Sequence, residues 1–216
     1  MKPRIKVCCI SSKEEARTAV EHGASALGLV GKMPSGPGPI ADELILEIAL
    51  TVPPPVATFL LTSETSADDI IAHHVRTLTN TIQIVDALTD RQYKRLKEAI
   101  PAIKIVQVIH VMDESSEAEA VEISEMVDAL LLDSGNPKLA VKELGGTGRV
   151  HDWKLSRRIV EQAKVPVFLA GGLNAYNVKE ALDKVNPFGF DLCSGVRTDG
   201  KLDPYKLESF FKAVWA

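Results

Sequence analysis

The chain has 216 residues, 45% of them hydrophobic and 25% charged, which suits one globular domain with a sizeable buried core. A net charge of −4, with lysine and arginine scattered along the chain, excludes a basic face for nucleic acid, and no run approaches the roughly 18 apolar residues of a membrane span. Three cysteines, two of them adjacent, show neither metal-ligand spacing nor a secreted disulfide framework, so a soluble cytoplasmic protein with a small-molecule ligand and no metal is expected.

In chain order, short apolar runs alternate with amphipathic segments from end to end. Strands are predicted at 5–9, 26–30, 56–60, 81–84, 103–109, 129–132, 167–169 and 189–192. Helices are predicted at 13–21, 42–50, 67–76, 89–99, 117–125, 155–163, 175–184 and 204–213. Eight strand–helix units point to a single-domain (β/α)8 TIM barrel over 1–216; an open doubly wound sheet is the alternative, and it would not require eight near-equal units. Chemistry in such barrels sits at the C-terminal ends of the strands, which would bring Cys8, Asp133, Gly171, Gly172 and the 191–195 stretch to one mouth.

Cys8 closes one apolar run and Asp133 another, so a thiol and a carboxylate stand ready as base and acid for one small substrate. Taken alone, Cys8 suits a small buried apolar group equally well, and Asp133 a helix cap. Gly171 and Gly172 follow a strand and lead into a helix, an arrangement that lets backbone N–H groups approach an anion closely. Asp191, Cys193, Ser194 and Gly195 repeat it after the eighth strand. One glycine pair alone is as readily a tight turn; two in the last two units point to phosphate. Lys6 adds a positive charge two residues before Cys8.

Ile5-Lys6-Val7-Cys8, Leu131-Leu132-Asp133-Ser134, Gly145-Gly146-Thr147-Gly148 with Asp152-Trp153, Ala170-Gly171-Gly172-Leu173-Asn174 and the 191–196 stretch resemble, in order and over nearly the whole chain, the motifs of the phosphoribosylanthranilate isomerase family of tryptophan biosynthesis. The strand-end cysteine is the most specific of them, because related phosphosugar isomerases of the histidine pathway use aspartate there. The resemblance implies a cofactor-independent Amadori rearrangement of a phosphorylated aminoaldose to an aminoketose, in a monomer or homodimer. It implies Asp133 as the acid that opens the ribose ring and Cys8 as the thiolate that removes the C2 proton. Lys6, Gly146, Gly148, Gly171, Gly172, Asp191, Cys193, Ser194 and Gly195 would bind substrate and phosphate.

The chain departs from that pattern in recognition loops. The family's arginine after the second strand, which holds the anthranilate end, is absent from Lys32-Met33-Pro34-Ser35-Gly36-Pro37-Gly38-Pro39. Its Gln-Leu-His-Gly becomes Gln83-Ile84-Val85-Asp86, which loses a histidine and sets an acid near the rim, and Arg197 replaces the usual glutamate. Lys32 and Arg197 are the candidate replacement cations, with Arg149 a third. His151 is given a structural role. Cys9 occupies a family glycine position and is expected to alternate to the far side of the strand and pack there. The departures leave open a sister isomerase with a different aglycone, or a non-catalytic barrel that binds a phosphorylated ligand.

Overall fold

The structure, a computed structural model, describes residues 2–135 and 151–215. The expectations for Gly146, Gly148 and Arg149 lie outside the described residues.

Eight strands form a closed parallel barrel in sequential order: β1 (Arg4–Val7), β2 (Ala26–Val30), β3 (Ala57–Thr62), β4 (Thr81–Ile84), β5 (Lys104–His110), β6 (Ala129–Asp133), β7 (Val167–Leu169) and β8 (Gly189–Leu192). Around them run α1 (Lys13–Glu21), α2 (Asp42–Ala49), α3 (Ala67–Thr77), α4 (Tyr93–Ala99), α5 (Ser115–Ser124), α6 (Trp153–Gln162), α7 (Val178–Val185) and α8 (Pro204–Trp215). The open-sheet alternative is overturned by the direct pairing of β1 with β8, Lys6 opposite Asp191 and Val7 opposite Leu192.

Parallel strands covered by helices are buried on both faces, so the two-residue alternation along each strand sorts apolar side chains into two cores. Leu27, Leu29, Leu60, Ile82, Ile105, Leu130, Leu169 and Phe190 belong to the shell shared with the helices. Ala26, Phe59, Leu61, Val106, Val108, Leu131 and Phe168 belong to a second cluster inside the barrel. Phe59 meets Phe168 edge-on at 6.1 Å between ring centroids, and Lys6 Nζ lies 5.4 Å from the Phe59 ring, which closes the barrel beneath the mouth.

Caps fix the helix starts. Ser12 accepts from Glu15 N at 3.2 Å, Ser66 from Asp69 N at 3.2 Å, and Asp152 from Lys154 N at 2.8 Å, each relieving an unpaired donor of the first turn. The expected helix over 89–99 is split into a 3-10 turn (Thr89–Arg91) and α4, because Asp90 and Arg91 take left-handed backbone at φ 51° and 50°. No glycine marks that break. β1 also ends earlier than expected, at Val7, and Cys9 turns left-handed at φ 60°. It therefore does not continue the strand's alternation to the far side: Cys9 joins the inner cluster with Cys8, in a conformation that suits the glycine it replaces.

Candidate active site

The C-terminal ends of the strands open into a cavity. Cys8, Asp133, Asp191, Gly171, Gly172, Cys193, Ser194 and Gly195 line it, as the sequence predicts. A wider cleft at the opposite end of the barrel is lined by Arg4, Lys104, Phe168 and Phe188. That end of the fold carries stability, and none of the candidate catalytic residues reaches it.

Lys6 is fully buried and donates to Asp191 Oδ1 at 2.8 Å. Burial works against its ammonium, but Asp191 and the nearby thiols of Cys8 and Cys9 outweigh it and hold the lysine pKa above its ordinary value. Burial also pushes the Asp191 carboxyl up, with Lys6 pulling it back; the 2.8 Å contact is that of a charged pair, and we assign it so. Lys6 is thus the base of the cavity's charge arrangement and does not itself line the cavity.

Asp133 is buried, and burial raises its pKa although the Ser134 N–H, His110 and Lys6 act in the opposite direction. Its Oδ1 accepts from Ser134 N at 2.7 Å. Cys8 follows β1 and its N–H still donates to Leu192 O at 2.7 Å, so the thiol is carried on the barrel wall beside β8. Space for it comes from Gly28 in mid-β2: a β-carbon there would stand 2.8 Å from Cys8 Sγ and 3.0 Å from Lys6 Nζ. Sequence reasoning gave Gly28 no role, though an isolated glycine inside a strand signals close approach.

The two glycine loops are built against each other. Gly171 and Gly172 have φ of 87° and 62°, conformations that glycine takes without strain. Gly172 O accepts from Asn177 Nδ2 at 3.0 Å, which pins the turn. A β-carbon on Gly195 would fall 1.9 Å from Leu173 O, so the second loop touches the first along its backbone. The 3-10 turn Ser194–Val196 leaves its first N–H groups without an intrahelical acceptor at the cavity wall.

The replacement cations fare differently. Arg197 makes a two-pronged ion pair with Glu15, both contacts 3.0 Å, and donates to the carbonyls of Cys8 and Cys9. Its guanidinium holds the β1–α1 turn, and it does not line the cavity. Lys32 is exposed and likewise absent from the cavity wall. Asp86 follows the C-terminal end of β4 by two residues, near the rim as expected, but it lines a neighbouring cleft with His110 and Tyr93 and is not among the residues of the substrate cavity's wall. His151 bonds Ser156 Oγ at 2.7 Å at the start of α6, and burial lowers its pKa to about 4, in keeping with a neutral structural histidine. Gln83 was missed: it lines the cavity, and its Oε1 is buried with no partner among the described residues.

A closed (β/α)8 barrel carrying an acid, a thiol and paired glycine loops at one mouth defines a class of phosphosugar-handling barrels, and the comparisons fix which branch. The family model for N-(5'-phosphoribosyl)anthranilate (PRA) isomerase matches residues 5–213. An N-(5'-phosphoribosyl)anthranilate isomerase of Methanosarcina acetivorans is 35% identical, over 99% of this chain and 94% of its own. One from Methanosarcina mazei, isomerase 2, is 36% identical over 96% and 92%. The crystal structure of phosphoribosyl anthranilate isomerase from Thermotoga maritima superposes with a TM-score of 0.82 at 28% identity, covering 99% and 98%. Another structure of such an isomerase, in complex with reduced 1-(o-carboxyphenylamino)-1-deoxyribulose 5-phosphate, gives 0.80 at 26%, covering 99% and 98%. The chain belongs to the phosphoribosylanthranilate isomerase family, and its activity is that of an isomerase.

Proposed function

We propose that this isomerase converts N-(5'-phosphoribosyl)anthranilate to 1-(o-carboxyphenylamino)-1-deoxyribulose 5-phosphate by acid–base chemistry between Asp133 and Cys8, without a cofactor. The observation that carries the reading is that both groups line one cavity, with the pair of glycine loops between them on its wall. Asp133, with its pKa raised by burial, keeps a proton to give: it protonates the ribose ring oxygen and opens the ring to a Schiff base. Cys8, as thiolate, then takes the C2 proton, and the enolamine tautomerises to the ketone. Lys6 puts a positive charge beside the sulfur that carries the negative one.

Gly171, Gly172, Ser194 and Gly195 hold the phosphate through backbone N–H groups, and Gln83 Oε1, buried without a partner among the described residues, accepts from a sugar hydroxyl. Three unpaired cysteines support a reducing cytoplasmic setting. Rescue of a tryptophan auxotroph that lacks this isomerase tests the substrate. Growth is expected. A soluble, folded protein that fails to rescue moves the reading to a sister isomerase with another aglycone, which the missing loop arginine and the engaged Arg197 would favour.

A further inference from the structure

Cys9 and Cys193 follow the two neighbouring strands that close the barrel, β1 and β8, and meet at the mouth. Their sulfurs are 3.0 Å apart, about 1 Å from bonding distance. Cys9 follows the β1 strand, Cys193 follows β8, and 184 residues separate them, so only barrel closure brings them together. Cys9 keeps a side chain at φ 60°, a left-handed backbone that strains a residue other than glycine. Its β-carbon and sulfur also fill the space above Gly38 of the β2–α2 loop, and its Sγ lies 3.5 Å from Pro37 O. The acid–base mechanism uses neither thiol.

We propose that Cys9 and Cys193 are a redox modification site, closed to a disulfide by low-molecular-weight disulfides of the glutathione type and reopened by thiols. The two sulfurs are unequal in a way that orders the steps. Cys193 is the more exposed of the pair and Cys9 is buried, so Cys193 is the sulfur that a small disulfide reaches. Cys193 attacks first, as thiolate: one sulfur of the small disulfide bonds to Cys193 and the other leaves as a thiol after taking a proton. Cys9 then loses its proton to solvent and attacks Cys193 Sγ, expelling the second small thiol. Two protein thiols are oxidised by two electrons and one disulfide is reduced to two thiols, so no other oxidant is required.

The link ties the turn carrying Cys8 to the turn carrying Ser194 and Gly195. A shift of about 1 Å in either element is enough to cost up to about a hundredfold in rate where two groups must act on one substrate. The closed form is therefore an inhibited form.

The test uses the full, pre-reduced chain incubated with glutathione disulfide, alkylated, digested and mapped by mass spectrometry. Expected are a Cys9–Cys193 linked peptide, an alkylated Cys8, and turnover lowered at least about tenfold and restored by dithiothreitol. Cys9→Gly should retain basal turnover and, lacking the resolving thiol, accumulate a glutathione adduct on Cys193. A link through Cys8, adducts without any link in the wild type, or a Cys9–Cys193 link that leaves turnover unchanged would overturn the proposal. Because the mapping reads bonds rather than catalysis, it stands apart from the assignment of substrate.

Discussion

The mouth of the barrel has two halves that are held in different ways. The half built from β6, β7, β8 and β1 is tied by backbone contacts, by the buried Lys6–Asp191 pair and by the Arg197–Glu15 pair. The half built from the β2–α2 loop is made of Met33, Ser35, Gly36 and Pro37, with partly or fully exposed residues and no charged side chain on the cavity wall. In the proposed reaction, proton transfer and phosphate binding, which need positions fixed to a fraction of an ångström, fall to the first half, and ring recognition, which tolerates more, falls to the second. On that proposal one barrel separates what is done to the substrate from which substrate is admitted.

The most forceful way to break this division is at the acid–base pair. Cys8→Ser and Asp133→Asn are each expected to cut turnover by at least about a hundredfold, with far-UV circular dichroism unchanged, while Cys9→Gly stays within about threefold of wild type. Equal, small losses at all three positions in steady-state assays would dissolve the contrast. Stability provides a second readout. The folded-state pKa of Asp133 is raised above its unfolded value, so between the two values the folded chain binds more protons, and stability falls as pH rises through that window. Asparagine has no such loss. The melting temperature of Asp133→Asn relative to wild type should therefore climb as pH rises above about 4.

A smaller effect is expected at the phosphate loops. Gly195→Ala drives a β-carbon to 1.9 Å from Leu173 O, so the two loops must part. Loss of one charge-assisted hydrogen bond, about 2 kcal/mol, corresponds to roughly thirtyfold weaker binding of inorganic phosphate, with kcat less affected than KM. Calorimetric titration with phosphate decides it, and unchanged affinity would remove the loops from the anion site.

The smallest effect sharpens the comparison from the other half. Pro37→Arg restores a cation on the cavity wall and is expected to raise kcat/KM on phosphoribosylanthranilate about tenfold, equivalent to about 1.4 kcal/mol. Gly36→Arg should gain less, since φ is 101° there and a side chain is strained. A wild type already unaffected by either change, and by Lys32→Ala, would show that the rim needs no added charge.

The fold was legible because the apolar runs at β2, β4 and β6 are short, β-branched or leucine-rich, and bounded by breakers, so local pattern and tertiary role agree. Cys8, Asp133 and the glycine loops were legible because barrel geometry sends strand ends to one place. What escaped were long-range partners. Nothing near Arg197 announces Glu15, which is 182 residues away, and nothing near Gln83 announces that its Oε1 lacks a partner among the described residues. The turn at Cys9 escaped for a local reason: a left-handed residue without a glycine leaves no mark in the sequence.

The Arg197–Glu15 pair also sets a schedule. The guanidinium that holds the Cys8 and Cys9 carbonyls arrives only with the last strand–helix unit, and β1 has no second neighbour until β8 is made. During synthesis the thiol is made with the first unit, but the turn that carries it is clamped only when the eighth emerges. Folding and assembly of the site finish together.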